Sequence, residues 1–111
     1  MKSRWIEYNG KRIFYQDFSN NFFNEQVIKK ELEEVQAIVL SQPVDSLLVL
    51  SNFTNTEITT NLMPILNESS KLTKPHVKKT AVLGDLLSKI TGQSLMYFTT
   101  EGEAKEWLAK E

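Results

Sequence analysis

Two short apolar runs dominate the hydropathy pattern. One is Ser46-Leu47-Leu48-Val49-Leu50-Ser51; the other is Lys79-Thr80-Ala81-Val82-Leu83, entered through Lys74-Pro75-His76-Val77-Lys78 and closed by Gly84. Runs of this length are too short for a buried helix and read as strands inside a sheet. An amphipathic stretch lies between them. Two such strands joined through a helix form a parallel βαβ unit with a right-handed crossover.

The flanking segments extend that unit. Arg4–Tyr8 and Lys11–Asp17 surround Asn9-Gly10, the signature of a two-residue type I′ hairpin. The turn sets a register that pairs Tyr8 with Lys11, Glu7 with Arg12, Ile6 with Ile13 and Trp5 with Phe14. One face then carries Ile6, Tyr8, Ile13 and Tyr15, the other Trp5 and Phe14, so helices are expected to cover both sides at least in part. Asn24 caps a helix running to about Gln42, before Pro43. Phe23 and Ile28 have the spacing of a hydrophobic staple, Ile28, Leu32, Val35 and Val39 form the core stripe, and Lys29, Lys30, Glu31, Glu33 and Glu34 form most of a wet face.

Thr54-Asn55-Thr56-Glu57 has the pattern of a capping box, opening a helix with Ile58, Leu62, Ile65 and Leu66 on its apolar side and a kink or restart at Pro64. Asp85–Ile90 reads as two short turns of helix ended by Gly92, and Ser94–Phe98 as a last strand. Thr100-Glu101-Gly102-Glu103 repeats the capping pattern and opens a final helix that buries Ala104, Trp107 and Leu108. The expected order is ββαβαβαβα, an α/β domain with about four helices.

Composition narrows the function more than the fold. The chain has 111 residues, 41% hydrophobic and 24% charged, which fits one domain with a real core over residues 1–111. Thirteen basic residues against 14 acidic ones give a net charge of −1, without the basic excess of a nucleic-acid binder. There is no cysteine, which excludes disulfides and thiolate metal sites. The start, Met1-Lys2-Ser3-Arg4-Trp5-Ile6-Glu7, lacks the apolar core of a signal peptide, and no apolar stretch is long enough to span a bilayer. The expectation is a cytoplasmic protein with no cofactor, beginning at Met1.

Candidate chemistry is sparse. His76 is the single histidine, so a Ser–His–Asp arrangement needs it with Asp17, Asp45 or Asp85; no G-x-S-x-G elbow accompanies it, and a solvated strand entry explains it more simply. One histidine and scattered carboxylates lack metal-ligand spacing. Gly84-Asp85 follows a central strand, where open α/β sheets bind ligands, but Walker A and G-x-G-x-x-G are absent and Asp85 serves equally as a helix cap. The loop Asn52-Phe53-Thr54-Asn55-Thr56 lies at the same sheet end. It is a candidate docking or phosphoacceptor loop, with plain capping as the structural alternative. Phe53 has no evident core duty in the sequence. Phe18, Phe22 and Phe23, around Ser19-Asn20-Asn21, are candidates for an apolar lid or a membrane-touching tip. Lys71, Lys74, Lys78 and Lys79 with His76 make the one basic cluster, a candidate headgroup contact or a solvated strand entry.

Four segments carry a resemblance: Phe14-Tyr15-Gln16-Asp17-Phe18-Ser19, Ser46–Leu50, Lys74–Gly84, and the ending Tyr97-Phe98-Thr99-Thr100-Glu101-Gly102-Glu103-Ala104-Lys105-Glu106-Trp107-Leu108. With the strand order, they resemble the SpoIIAA-like branch of the STAS domains, small α/β proteins related to bacterial anti-sigma-factor antagonists. The resemblance implies a five-stranded mixed sheet with an N-terminal antiparallel hairpin and largely parallel remaining strands. It further implies a non-enzymatic role in regulated protein–protein contact or in binding an apolar, lipid-like ligand. Regulatory antagonists place Asp-Ser followed by Gly just after the third strand. Here that place reads Ser51-Asn52-Phe53-Thr54-Asn55-Thr56, so no phosphoserine is carried over.

The function expected from residues and resemblance together is a non-catalytic interaction module with a protein partner. Its surface would be Asn52–Thr56 with Gly84 and Asp85. The rival is an apolar-ligand or peripheral membrane protein using Phe18, Phe22 and Phe23 as lid and Lys78 and Lys79 as headgroup contacts. Pairing into homo-oligomers through exposed helices or sheet edges is open to such a domain.

Overall fold

The computed structural model describes residues 1–84 and 89–110. The elements run β1 (Arg4–Tyr8), β2 (Lys11–Asp17), α1 (Glu25–Leu40), β3 (Leu47–Asn52), α2 (Met63–Thr73), a 3₁₀ turn (Lys74–His76), β4 (Val77–Leu83), β5 (Met96–Phe98) and α3 (Glu101–Ala109). They build one five-stranded mixed sheet in the order β1-β2-β3-β4-β5. β1 and β2 are antiparallel and every later pair is parallel. Three α-helices are present among the described residues; the helix expected over Asp85–Ile90 falls mainly on positions outside them.

The hairpin has the register that Asn9-Gly10 dictates, with Trp5 opposite Phe14 and Tyr8 opposite Lys11. Asn9 and Gly10 take φ of 50° and 77°, the positive values a type I′ turn requires. As the alternation implies, the sheet has a core on each side. Phe14, Val49 and Val82 pack beneath α1 and α2 with Ile28, Leu32, Val35 and Leu66. Ile13, Tyr15, Leu50, Ala81 and Leu83 pack with Ala104 and Leu108 of α3 on the other side.

α1 starts where Asn24 accepts a hydrogen bond from the Val27 amide at 3.3 Å, and its stripe Ile28, Leu32, Val35 and Val39 is buried. Two expectations about this helix are corrected. Phe23 is exposed, so it does not staple onto buried Ile28. Glu31, assigned to the wet face, is buried, because its carboxylate accepts the backbone amides of Lys2 (3.3 Å) and Ser3 (2.9 Å). Those amides replace the water the carboxylate gives up.

The second helix also starts later than its capping pattern suggests. Thr54 caps no helix: the Glu57 amide that a box would direct to Thr54 donates to the Phe22 carbonyl at 2.7 Å, and the Thr56 hydroxyl donates to the Phe18 carbonyl and accepts from the Asn21 amide at 3.1 Å. α2 begins at Met63 instead, which puts Pro64 in the first turn, where a missing N–H leaves no helical bond unmade. Leu62 and Leu66 are buried as expected, whereas Ile65 is exposed. At α3 the same sequence pattern does form a box, with Thr100 Oγ1 accepting the Glu103 amide at 3.2 Å and donating to the Glu103 carboxylate at 2.9 Å.

Asp17, at the end of β2, ties the N-terminal residues to the sheet. Its amide donates to Ser3 Oγ at 2.8 Å; its carboxylate accepts the Ser19 amide at 3.0 Å and the Ser19 hydroxyl, and lies 3.7 Å from Lys2 Nζ and 3.4 Å from Arg4. Burial alone would raise this carboxyl, but the Ser19 donors, with Lys2 and Arg4, hold it below the usual aspartate value. A carboxyl whose folded value lies below its unfolded value adds stability above the unfolded value and loses it as pH falls through the folded one. Asp17→Asn is therefore expected to flatten the loss of stability on acidification below about pH 4, measured by urea unfolding from pH 6 down to pH 2. An unchanged acid limb would contradict this role.

Candidate functional site

The carboxyl ends of β2 and β3 carry two loops that are laced together. Phe18 N–H donates to Asn52 O (2.9 Å), Asn20 N–H to Thr54 O (2.8 Å), Phe22 N–H to Asn55 O (2.9 Å) and Glu57 N–H to Phe22 O (2.7 Å). Phe22 and Thr56 form an isolated parallel bridge. The Asn55 side chain donates to the Asn20 side chain at 3.0 Å. The loops thus continue the parallel β2–β3 pairing beyond the sheet, and they bring together two sets of residues that the sequence treats as separate candidates.

This lacing divides the candidate residues into a buried base and an exposed tip. Phe18 and Phe53 form the base: both are buried, and their rings stack with centroids 4.9 Å apart and planes 6° from parallel. Phe53 N–H donates to Leu83 O at 2.8 Å, joining the ends of β3 and β4. Phe53 therefore has a core duty and is no docking side chain, and Phe18 is no lid. Thr56 is buried by its bonds to Phe18 and Asn21, which removes it as a phosphoacceptor. Asn52 is structural as well, accepting the Thr54 amide at 2.9 Å and donating to Tyr15 Oη at 2.7 Å. Tyr15 in turn donates to Glu101 at 2.9 Å, so the loop is wired to α3. Burial first, then Glu101, raises the Tyr15 phenol above its ordinary value against the Asn52 bond, which keeps it a donor.

The tip consists of Phe22, Phe23, Asn20, Thr54 and Asn55. Phe22 and Phe23 are 58% and 73% exposed. Asn20, Phe22 and Asn55 have φ of 59°, 50° and 55°. Asparagine tolerates this left-handed region; a phenylalanine there carries strain of order 1 kcal/mol or more. The backbone bonds on both sides of Phe22 hold it in that geometry, projecting two adjacent aromatics from a fixed loop. Val27, one turn into α1, is also exposed.

Gly84 lies at the base, with φ of +125° and room for no Cβ: one built there would come within 2.9 Å of the Phe53 carbonyl carbon. It is a packing glycine beneath Phe53. Asp85 lies outside the described residues.

The lysines do not join this face. Lys78 and Lys79 are near the start of β4, four or five residues from its carboxyl end, roughly 13–17 Å along the strand. Lys79 is committed elsewhere: its ammonium donates to the carbonyls of Trp107 (3.1 Å) and Lys110 (2.7 Å), closing the end of α3, and stands over the Trp107 ring at 5.2 Å. The expected headgroup role of Lys79 is corrected accordingly. His76 Nδ1 is 2.7 Å from the Gln42 carbonyl and pairs with neither Asp17 nor Asp45. Among the described residues no cluster of three or more His, Cys, Asp or Glu has metal-site geometry, and no helix is long and apolar enough to cross a membrane.

Between the sheet and the α1–α2 layer lies a cavity of about 60 Å³, bounded by Phe18 and Phe53 at the strand ends. Its lining comes from β2, β3, β4, α1, α2 and residues 90–95, segments far apart in the chain, so no local pattern marks it.

No family model, curated protein or solved structure matches the chain. The likeness to STAS domains rests on the segments quoted above.

Proposed function

We propose that the chain is a non-catalytic, cytoplasmic interaction module of the STAS/SpoIIAA-like type that binds a protein partner on the aromatic tip at the carboxyl ends of β2 and β3. The observation that carries this reading is the pair Phe22–Phe23: adjacent, exposed, and held by backbone hydrogen bonds with Phe22 at a strained positive φ. The backbone lacing of the loops needs no aromatic side chain at Phe22, whereas rigid aromatic anchors with a polar rim are what protein interfaces use. Thr54, Asn55 and Asn20 supply that rim. The working surface thus shifts from the expected Asn52–Thr56 to the tip above it, and Phe53 and Gly84 act by supporting it.

The rival, a lipid carrier or membrane-surface protein, has less behind it. The basic cluster is on another part of the molecule, and the cavity has less than half the roughly 150 Å³ that admits benzene in a protein core, too little for an acyl chain.

The test is a double variant, Phe22→Asn with Phe23→Ser. Asparagine accepts the left-handed backbone, so thermal stability should be unchanged or slightly raised. Partner affinity, measured by calorimetry against a protein captured reciprocally from the host, should fall about 100-fold or more. Sedimentation velocity identifies the case in which the partner is a second copy. Undiminished affinity in the double variant refutes the surface, and binding to anionic vesicles that the variant abolishes refutes the protein partner in favour of a membrane.

A further inference from the structure

We infer that the cavity between the sheet and the α1–α2 layer is a binding site for a small neutral molecule bearing one hydroxyl or carbonyl oxygen, held through Ser70. The inference is independent of the surface reading above, since none of the tip residues Asn20, Phe22, Phe23, Thr54 and Asn55 lines the cavity.

Three observations support it. First, the Ser70 hydroxyl is buried and has no hydrogen-bond partner in the protein. A helical serine in that position usually bonds back to a carbonyl one turn earlier, and a buried polar group without a partner is costly. The rest of Ser70 is fully engaged, its carbonyl accepting Gln93 Nε2 at 2.7 Å and Thr73 Oγ1 at 3.3 Å. The Ser70 hydroxyl is therefore open to a bond from a water molecule or from a ligand that displaces it.

Second, the same cavity holds further unused polar capacity. Gln16 accepts the Ser51 hydroxyl at 3.0 Å and has no second partner for its amide nitrogen, and the Gln36 side chain has none at all. They line the cavity with Ser70, with further polar residues whose bonds are made within the protein, such as Ser51, Thr73, Thr80 and Gln93, and with an apolar part that includes Val49, Leu66 and Val82. A few placed polar groups in an apolar pocket are the usual make-up of a small-molecule site.

Third, among the described residues no charged side chain lines the cavity. A charged ligand would lose its hydration there with nothing to offset it, so the occupant is neutral. A volume of about 60 Å³ admits about three or four non-hydrogen atoms, the size of a short alcohol, aldehyde or ketone.

The test uses propan-1-ol as probe, followed by amide and methyl NMR shifts of the whole chain. The wild type should show saturable shifts centred on Ser70, Leu66 and Val82. Ser70→Ala should weaken the apparent affinity about tenfold, which is the loss of one hydrogen bond. It should also raise the melting temperature, since it deletes the unsatisfied hydroxyl while leaving the cavity open. Val82→Leu, which fills the space, should abolish the saturable shifts. Shifts that rise linearly without saturating, that scatter over the surface, or that survive unchanged in either variant overturn the inference. Equal binding in Ser70→Ala would mean an apolar void that takes any small solute; loss confined to Val82→Leu therefore also counts against it.

Discussion

Phe53→Ala is expected to lower stability by about 3–5 kcal/mol, although the residue lies in a polar surface loop by sequence. The ring is 2% exposed, stacks on Phe18 at 4.9 Å, and borders the cavity. Truncation removes the transfer free energy of a phenyl group and enlarges a void that is already present. It also leaves Phe18 without its partner, and a stacked pair adds about 0.5–1.5 kcal/mol beyond burial. The melting temperature, followed by far-UV circular dichroism, should fall by more than about 10 °C. A fall of only a degree or two would mean that Phe53 is a surface side chain after all, and the separation of base from tip would be lost with it.

The second large effect is expected at Gly84. Gly84→Ala places a methyl 2.9 Å from the Phe53 carbonyl carbon and 3.0 Å from its oxygen, and these are backbone atoms that cannot swing aside. The backbone at φ +125° is also closed to alanine. The combined cost is about 2–4 kcal/mol. Gly10→Ala serves as the control, because Gly10 also has positive φ (+77°) but nothing within 4 Å of the added carbon. It should cost about 1 kcal/mol, the backbone part alone. If urea unfolding gives the two variants equal losses, steric support of Phe53 by Gly84 is wrong.

These two residues also show where sequence reasoning reached its limit. The hairpin register was legible because Asn9-Gly10 determines it within four residues, and the α1 stripe because its period is local. The box at Thr100–Glu103 formed for the same reason. Thr54-Asn55-Thr56-Glu57 carries an equivalent pattern, yet the Glu57 amide that would bond to Thr54 went to the Phe22 carbonyl, 35 residues away. No local rule could favour that over a cap. Glu31 is a similar case: on a helical wheel it belongs with the solvent-facing charges, and only the N-terminal amides crossing above it explain its burial. Phe18 and Phe22 look alike in the chain, and the backbone lacing of two distant loops decides that one is core and the other tip. The strands, the α1 apolar stripe and the end of the sheet that carries the loops could be read from period and turn chemistry. Which aromatic faces outward could not, because it is a property of tertiary pairing.

The division of the core by the sheet has a consequence for how the molecule breathes. Among the described residues α3 is the one helix on its side of the sheet, over a small cluster that includes Ala104 and Leu108, while α1 and α2 share the larger one. β5, which leads into α3, pairs with β4 over only three residues. The least costly large excursion is thus for β5 and α3 to peel away as a unit, a partial opening of the kind that precedes global unfolding. Such an opening breaks the Tyr15–Glu101 tie but spares β2, β3, α1 and the laced loops. The protein can lose residues 96–109, roughly an eighth of its chain, to solvent for a moment and still present the same two phenylalanines.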